Sequence, residues 1–144
     1  MDNNIEYIHD WSESVISQWK AQKIPLQKGA TLAAISKTEK ILEFTFPLSF
    51  KVLYQKVDGF EHFEWNENMI GIWQLSRMEN EFGRYSNFVG FGDFLINSCS
   101  YGFLKDQPGI FKAWDLAYST PLEKIAESFE EAIDLILANT DLLY

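Results

Sequence analysis

The chain has 144 residues, 47% hydrophobic and 23% charged, and its 21 acidic against 12 basic side chains give a formal net charge of −9. This length and composition predict one folded domain over residues 1–144 and exclude a disordered chain. The negative charge argues against direct DNA or RNA binding, because it repels phosphate backbones, and it would attract a basic protein.

The first ten residues, MDNNIEYIHD, are acidic and lack the basic and apolar regions of a signal peptide. Nowhere does an apolar run approach the roughly 18 residues that a membrane span needs. We therefore expect a cytoplasmic protein with no membrane partner.

Apolar side chains recur at intervals of three and four residues near the N-terminus, and they are Ile5, Ile8, Trp11, Val15 and Trp19. This spacing predicts a helix over about residues 4–21, with Asn3 as its N-cap. The segment IPLQKG follows and contains Pro25 and Gly29, so we interpret residues 1–28 as a helix and its connection.

A second helix is predicted over about residues 31–43, with Thr31 as N-cap and one apolar face formed by Leu32, Ile35 and Leu42. An alternative begins this helix at Ser36, because Ser36 and Glu39 have the spacing of a capping box. If the helix begins earlier, Glu39 falls on the apolar face and needs a donor such as a backbone N–H. That is a structural role, not a catalytic one.

The third predicted helix begins at Pro47, a residue that suits a first helical turn because it lacks an N–H. Its apolar face consists of Phe50, Leu53, Tyr54 and Val57. We expect Gly59 to take a left-handed conformation and to end the helix.

Beyond Gly59 the pattern becomes that of strands, predicted at 69–75, 87–97, 100–106 and 109–115. The last two form a hairpin around the turn Gln107-Pro108-Gly109, and residues 77–86 are expected to be a loop with at most one helical turn. Gly90 and Gly92 predict a bulge or a close approach by another element.

Ser128 and Glu131 have the spacing of a capping box and introduce a C-terminal helix over about residues 129–138. The whole order predicts an α+β fold, in which an antiparallel sheet of about four strands packs against the N-terminal helices and this C-terminal helix.

Catalytic and metal chemistry find little support in this sequence. His9 and His62 are the only histidines, Cys99 is the only cysteine, and no phosphate-binding glycine motif occurs. His62 has glutamates nearby, but without a second histidine it is a weak candidate for a metal ligand. We therefore predict a protein that is not an enzyme, with no catalytic residue, no metal and no cofactor.

The stretch GFEHFEWNEN, residues 59–68, alternates aromatic and acidic side chains directly after the third helix. Exposed aromatic residues among acids suit a surface that binds a protein partner, the aromatics as anchors and the acids for steering. The candidate partner-binding residues are Glu61, Phe63, Glu64, Trp65 and Glu67. In the alternative interpretation, Phe60, Phe63 and Trp65 cover the sheet edge and the glutamates merely face water.

The run GATLAAISKTEKILEFTFPLSFKVLYQKVDGFE resembles the N-terminal signature of the SUKH superfamily. A glutamate on a helix, Glu39, leads to the step Phe46-Pro47, a further helix and the ending Asp58-Gly59. Downstream, FGDFLINS, GIFKAW and KIAESFEEAIDLIL look like the strands and terminal helix of that superfamily. The resemblance covers about residues 29–139.

This resemblance implies a function by binding. Fungal members of the superfamily are Smi/Knr-like regulators linked to cell-wall glucan synthesis, and many bacterial and phage members are immunity proteins that neutralise a toxin, often a nuclease. No catalytic residue comes with the superfamily. The expectation is thus a protein-binding domain, first an immunity protein for a basic, nuclease-type toxin, and alternatively a regulatory adaptor of cell-wall synthesis.

Overall fold

The computed structural model describes residues 2–61, 64–81, 86–95, 98–114, 122–138 and 143, without the side chains of residues 2–4. The helices in these residues are α1 (Asp2–Ala21), α2 (Leu32–Leu42), α3 (Leu48–Lys56), α4 (Leu75–Glu81) and α5 (Phe129–Ala138). The strands are β1 (Leu26–Lys28), β2 (Val57–Phe60), β3 (Ile70–Ile72), β4 (Phe88–Phe94), β5 (Cys99–Leu104), β6 (Gln107–Ala113) and β7 (Glu123–Ala126).

Strands β3 to β7 form a five-stranded antiparallel sheet in chain order, and β1 pairs with β2 in a separate antiparallel ribbon. The α+β class is confirmed. The expected number of about four strands was too low, because β1, β2 and β7 have only three or four residues each. Strands of that length show almost no alternation by which to recognise them.

The hairpin of β5 and β6 turns earlier than predicted. Lys105 and Asp106 form its turn, whereas Gln107, Pro108 and Gly109 already belong to β6. Leu104 pairs with Gln107 across the turn, and a register shift follows between Phe103 and Leu104. The Pro-Gly pair therefore marks an irregular strand start and not the turn itself.

Helix α2 begins where Thr31 predicts. The Thr31 hydroxyl oxygen accepts the N–H of Ala34 at 3.1 Å, so the alternative start at Ser36 is wrong. Ile35 and Leu42 are buried as expected, but Leu32 is 58% exposed because the first turn of the helix lies outside the core.

Helix α3 ends earlier than predicted, at Lys56, and Val57 is the first residue of β2. Gly59 has the expected left-handed conformation, with φ of +70°, but inside that strand and not as a helix cap. A Cβ at Gly59 would lie 2.5 Å from the carbonyl oxygen of Trp73, so the close packing of these two backbones requires glycine.

The aromatic rings of α3 and its approach form the centre of the core. Phe46, Phe50 and Tyr54 stack with ring centroids 3.9 and 4.0 Å apart. Phe129 of α5 contacts Phe50 edge to face from the other side at 5.2 Å. The Tyr54 hydroxyl donates to the Trp73 carbonyl oxygen at 2.6 Å, and burial raises the pKa of this phenol well above its usual value, with Asp58 adding to the shift.

Helix α1 is part of this core. Trp19 is fully buried and meets Phe60 edge to face at 5.0 Å, and the Trp11 indole N–H donates to Asp134 of α5 at 2.9 Å. Lys56 joins α1 to α3, since its Nζ lies 2.8 Å from Glu13 Oε1, and this contact lowers the pKa of Glu13. Ile5, predicted on the apolar face of α1, is 47% exposed instead.

The predicted irregularity at Gly90 and Gly92 is confirmed. The register between β4 and β5 shifts at this point, which leaves Phe91 as an extra residue whose side chain is fully buried. The two strands also approach closely here, because a Cβ on Gly102 would lie 2.3 Å from the Val89 carbonyl oxygen. The bulge thereby turns Phe91 into the core.

Residues 77–86, predicted as a loop with at most one helical turn, contribute most of α4, while residues 82–85 lie outside the described residues. Helix α4 is held by charged groups of the sheet and of β2. Arg77 pairs with Asp93 of β4 at 2.9 Å, and Asp58 accepts the N–H of Leu75 at 2.8 Å. Among the described helices, none has the length and hydropathy required to cross a bilayer.

Candidate interaction surface

The acidic aromatic run divides at Phe60, the last residue of β2. Phe60 is buried against Trp19, so it serves the core and not the surface. Glu61 follows and donates its N–H to the carbonyl oxygen of Pro25 at 2.9 Å. His62 and Phe63 lie outside the described residues. The role of Phe63 in partner binding therefore remains a prediction from the sequence.

Residues 64–69 form a turn that is fixed to β3 by a buried asparagine. Asn66 Oδ1 accepts the N–H of Asn68 at 2.8 Å and that of Ile70 at 3.0 Å, while its own N–H donates to the Ile70 carbonyl oxygen at 2.9 Å. Met69 closes the turn with a 3.0 Å bond to the Asn66 carbonyl oxygen. These hydrogen bonds hold the backbone of the turn in one conformation, so the side chains on the turn are already arranged before a partner binds.

The side chains on either side of Asn66 face water. Glu64 and Glu67 are exposed, and Trp65 between them is 41% exposed. The alternative interpretation, in which these aromatic residues cover a sheet edge, therefore agrees with the buried Phe60 but agrees poorly with the exposed Trp65.

Three further apolar residues are also exposed, one at the end of this turn and two directly after β4 and β6, and no sequence pattern indicated them. They are Met69, Leu95 and Trp114, at 41%, 41% and 40% exposure. Leu95 donates its N–H to the Met69 carbonyl oxygen at 3.0 Å, and Phe94 meets Trp114 edge to face with centroids 6.4 Å apart. We call Trp65, Met69, Phe94, Leu95 and Trp114 the sheet-end patch, since the turn at residues 64–69, the end of β4 and the end of β6 lie at the same end of the five-stranded sheet.

The segment that carries Trp65 and Met69 is acidic. Between Lys56 and Arg77 the sequence has no lysine or arginine, yet it has four acidic residues, Asp58, Glu61, Glu64 and Glu67. Arg77 is itself engaged by Asp93 and Glu81 and lies 4.5 Å above the Trp73 ring. The described glutamates of this stretch thus create a field that attracts cations.

A groove of about 570 Å³ lies elsewhere, between the α2–α3 connection, the β5–β6 turn and the start of α5. Phe103 and Phe129 line it, and of its acidic lining residues Asp106 accepts a hydrogen bond from Asn87 at 3.0 Å while Glu127 pairs with Lys124 at 2.8 Å. Glu130 is the third acidic lining residue, so at least two of the three carboxylates of the groove are engaged by neighbouring side chains.

Among the described residues, Cys99 and His9 are two further side chains with potential reactivity. Cys99 is buried, and burial raises the pKa of its thiol to about 11 despite the opposing effects of Lys112 and the Ala113 N–H. His9 is exposed, and its carbonyl oxygen accepts from Ser12 Oγ at 2.8 Å. Within the part of the chain that the structure describes, no three His, Cys, Asp or Glu side chains come together as metal ligands.

The partner-binding prediction named residues that the structure only partly brings together. Glu64, Trp65 and Glu67 share the turn fixed by Asn66, whereas Glu61 lies before it at the end of β2. The missed residues Met69, Leu95 and Trp114 come from three separate segments. Only strand register places them together, so no local motif could have revealed them.

The comparisons with known proteins agree with this architecture. The SMI1 / KNR4 family (SUKH-1) matches residues 29–135, from the start of α2 into the body of α5, so that α1 lies outside the match. No match is found among curated proteins. Members of this family act through protein–protein interaction, which supports a protein partner in general terms. Because the match covers well over half of its length, the chain belongs to the SMI1 / KNR4 family (SUKH-1).

Proposed function

We propose that this chain is a cytoplasmic immunity protein that binds and neutralises a cognate toxin, of a basic, nuclease-type class. Membership of the SMI1 / KNR4 family supports a role in binding. The observation that carries the proposal further is the turn at residues 64–69, in which a buried asparagine holds an exposed tryptophan between two exposed glutamates.

The chemistry of such a toxin explains the choice of a basic partner. A nuclease carries cationic groups where it contacts phosphates, and an acidic protein can occupy that surface. Here the chain has a net charge of −9, and the stretch between Lys56 and Arg77 contains acids without bases. Glu61, Glu64 and Glu67 accelerate the encounter, and Trp65 supplies apolar contact.

The alternative function is that of a regulatory adaptor in cell-wall or glucan synthesis, where the partner is a component of the synthesis machinery. The family match supports this function equally, because the family bears the names SMI1 and KNR4. The same acidic surface would then bind a basic segment of an envelope-synthesis protein.

A neutralisation assay separates the two functions. The immunity proposal predicts that a neighbouring gene encodes a nuclease-type toxin domain. That domain is purified, and its cleavage of nucleic acid is measured with increasing amounts of this protein. We expect cleavage to stop and a complex to appear in gel filtration. Full cleavage in the presence of excess protein would contradict the immunity proposal, and altered wall glucan on deletion of the gene would then support the adaptor.

A variant in which Glu61, Glu64 and Glu67 are changed to Gln tests the role of charge. Association with the toxin domain should slow several-fold at low salt, and the difference should fade at high salt, because exposed charges are screened. Equal association rates at both salt concentrations would remove these glutamates from the interface.

A further inference from the structure

Four of the five residues of the sheet-end patch are exposed apolar side chains, whereas Phe94 is partly buried against the core. A tryptophan side chain has about 250 Å² of surface, so exposures of 41% and 40% leave roughly 100 Å² of Trp65 and of Trp114 in water. Met69 and Leu95 add to this area. Exposed apolar residues grouped at one end of a sheet are typical of interaction sites, whereas single exposed apolar residues need no explanation.

Two residues of the patch also have an unfavourable backbone conformation. Met69 has φ of 64° and Leu95 has φ of 51°, in the left-handed region that side chains with a Cβ rarely adopt. Glycine or asparagine would fit both positions more easily. Folding alone therefore does not account for a bulky, exposed apolar side chain at either position.

The charges near the patch indicate which kind of molecule can bind over it. The turn that carries Trp65 also carries Glu64 and Glu67, both exposed, and the sequence from 57 to 76 contains no lysine or arginine. A lipid surface with anionic headgroups and a nucleic acid would both be repelled. A protein with an apolar side chain surrounded by lysines and arginines complements both the patch and its charge.

We propose that the sheet-end patch is the apolar anchor of the interface, covered by a basic protein partner, and that it sets the lifetime of the complex while the glutamates set the rate of encounter. This inference rests on the proposed function, because it assumes that the protein acts by binding a basic protein. It adds the residue before β3, residues at the end of β4 and the residue after β6 to a surface that the sequence placed in one short segment.

The test measures association and dissociation rates with the immobilised toxin domain encoded beside this gene. Trp65→Ala and Trp114→Ala should each accelerate dissociation roughly 10- to 30-fold, the effect of losing a central aromatic anchor, with little change in association. Tyr7→Ala on α1 is the matched control, since Tyr7 is a more exposed aromatic residue, and it should leave both rates unchanged.

Leu95→Gly separates binding from folding. Glycine relieves the left-handed conformation, so the midpoint of urea unfolding should stay the same or rise while dissociation accelerates. Lys23→Gly is the matched control, because Lys23 also has a positive φ, of 61°, on the exposed surface, and it should not alter dissociation.

The outcomes separate this inference from the proposed function. If the unaltered protein does not bind the toxin domain, the proposed function fails and this inference falls with it. If it binds and the Trp65, Trp114 and Leu95 variants dissociate as slowly as the unaltered protein, the proposed function stands and the sheet-end patch is not the anchor.

Discussion

Glu39 stabilises the connection between α2 and α3 through its side-chain carboxylate. Its Oε2 accepts the N–H of Phe46 at 2.8 Å and lies 3.4 Å from Lys51 Nζ. The sequence placed this glutamate on an apolar helix face and predicted a backbone donor for it, and the structure confirms that donor. The carboxylate thus holds the chain at the step from α2 to α3.

Substitution of Glu39 should reveal this structural role. Glu39→Ala leaves the N–H of Phe46 without its acceptor and should lower the free energy of unfolding by about 1–3 kcal/mol. Glu39→Gln keeps an acceptor for the Phe46 N–H and should lose less stability, since the partly exposed pair with Lys51 contributes only about 0–1 kcal/mol. Urea unfolding followed by tryptophan fluorescence measures both values, and equal losses would contradict a role through the hydrogen bond.

Asp58 makes stability depend on pH. Burial raises the pKa of this carboxyl above its ordinary value of 3.8, the N–H of Leu75 acts in the opposite direction, and the nearby Glu79 adds to the rise. A raised pKa means that the folded state holds the proton more tightly than the unfolded state, so stability is lost as pH rises through the shifted value.

Asp58→Asn should remove the loss of stability that the unaltered protein shows as pH rises. The amide oxygen can still accept the N–H of Leu75, so the variant should be more stable than the unaltered protein at pH 7, with the difference vanishing below pH 3.8. Urea unfolding at a series of pH values gives the comparison. A constant difference between the two proteins across the whole series would show that Asp58 does not titrate with folding.

At the scale of elements, α1 is a structural member of the fold although the family match begins after it. Trp11 and Trp19 join it to α5 and to β2. Trp19→Ala should therefore cost about 3–5 kcal/mol of stability, the usual loss for a large buried aromatic side chain.

The matched control for this prediction is Trp65→Ala, which removes the same side chain from an exposed turn. Its effect should be within about 0.5 kcal/mol, as for most surface substitutions. Chemical unfolding of the two variants under identical conditions gives the contrast. Similar losses in both would mean either that α1 contributes little to the core or that Trp65 is a core residue.

Elements whose apolar residues recur at regular intervals could be predicted from the sequence, whereas strands of three or four residues could not. The helices α2 and α5 begin at their predicted caps, Thr31 and Ser128, because each cap is a local hydrogen bond that the sequence specifies. Strand β2 was missed because Val57 continues the apolar spacing of α3, and only its pairing with β1 reveals the strand. The sheet-end patch depends on strand register, which is a long-range property.

At the scale of the whole molecule, the charge of −9 predicts a strong effect of salt on encounter with a basic partner. The association rate with the toxin domain should fall by roughly tenfold or more between low and high salt, whereas the dissociation rate should change little. Stopped-flow fluorescence with the native tryptophans measures both rates. A flat salt dependence of association would contradict electrostatic steering.

We propose that neutralisation occurs by binding to a surface of the toxin and not by turnover, and a stoichiometric titration of the toxin domain tests this proposal most directly. Toxin activity is measured after full equilibration with increasing mole ratios of this protein, at concentrations far above the dissociation constant. Binding predicts a linear loss of activity that ends at a fixed mole ratio, near one to one. Complete inactivation by a small fraction of that amount, growing with time, would show catalysis and contradict the claim.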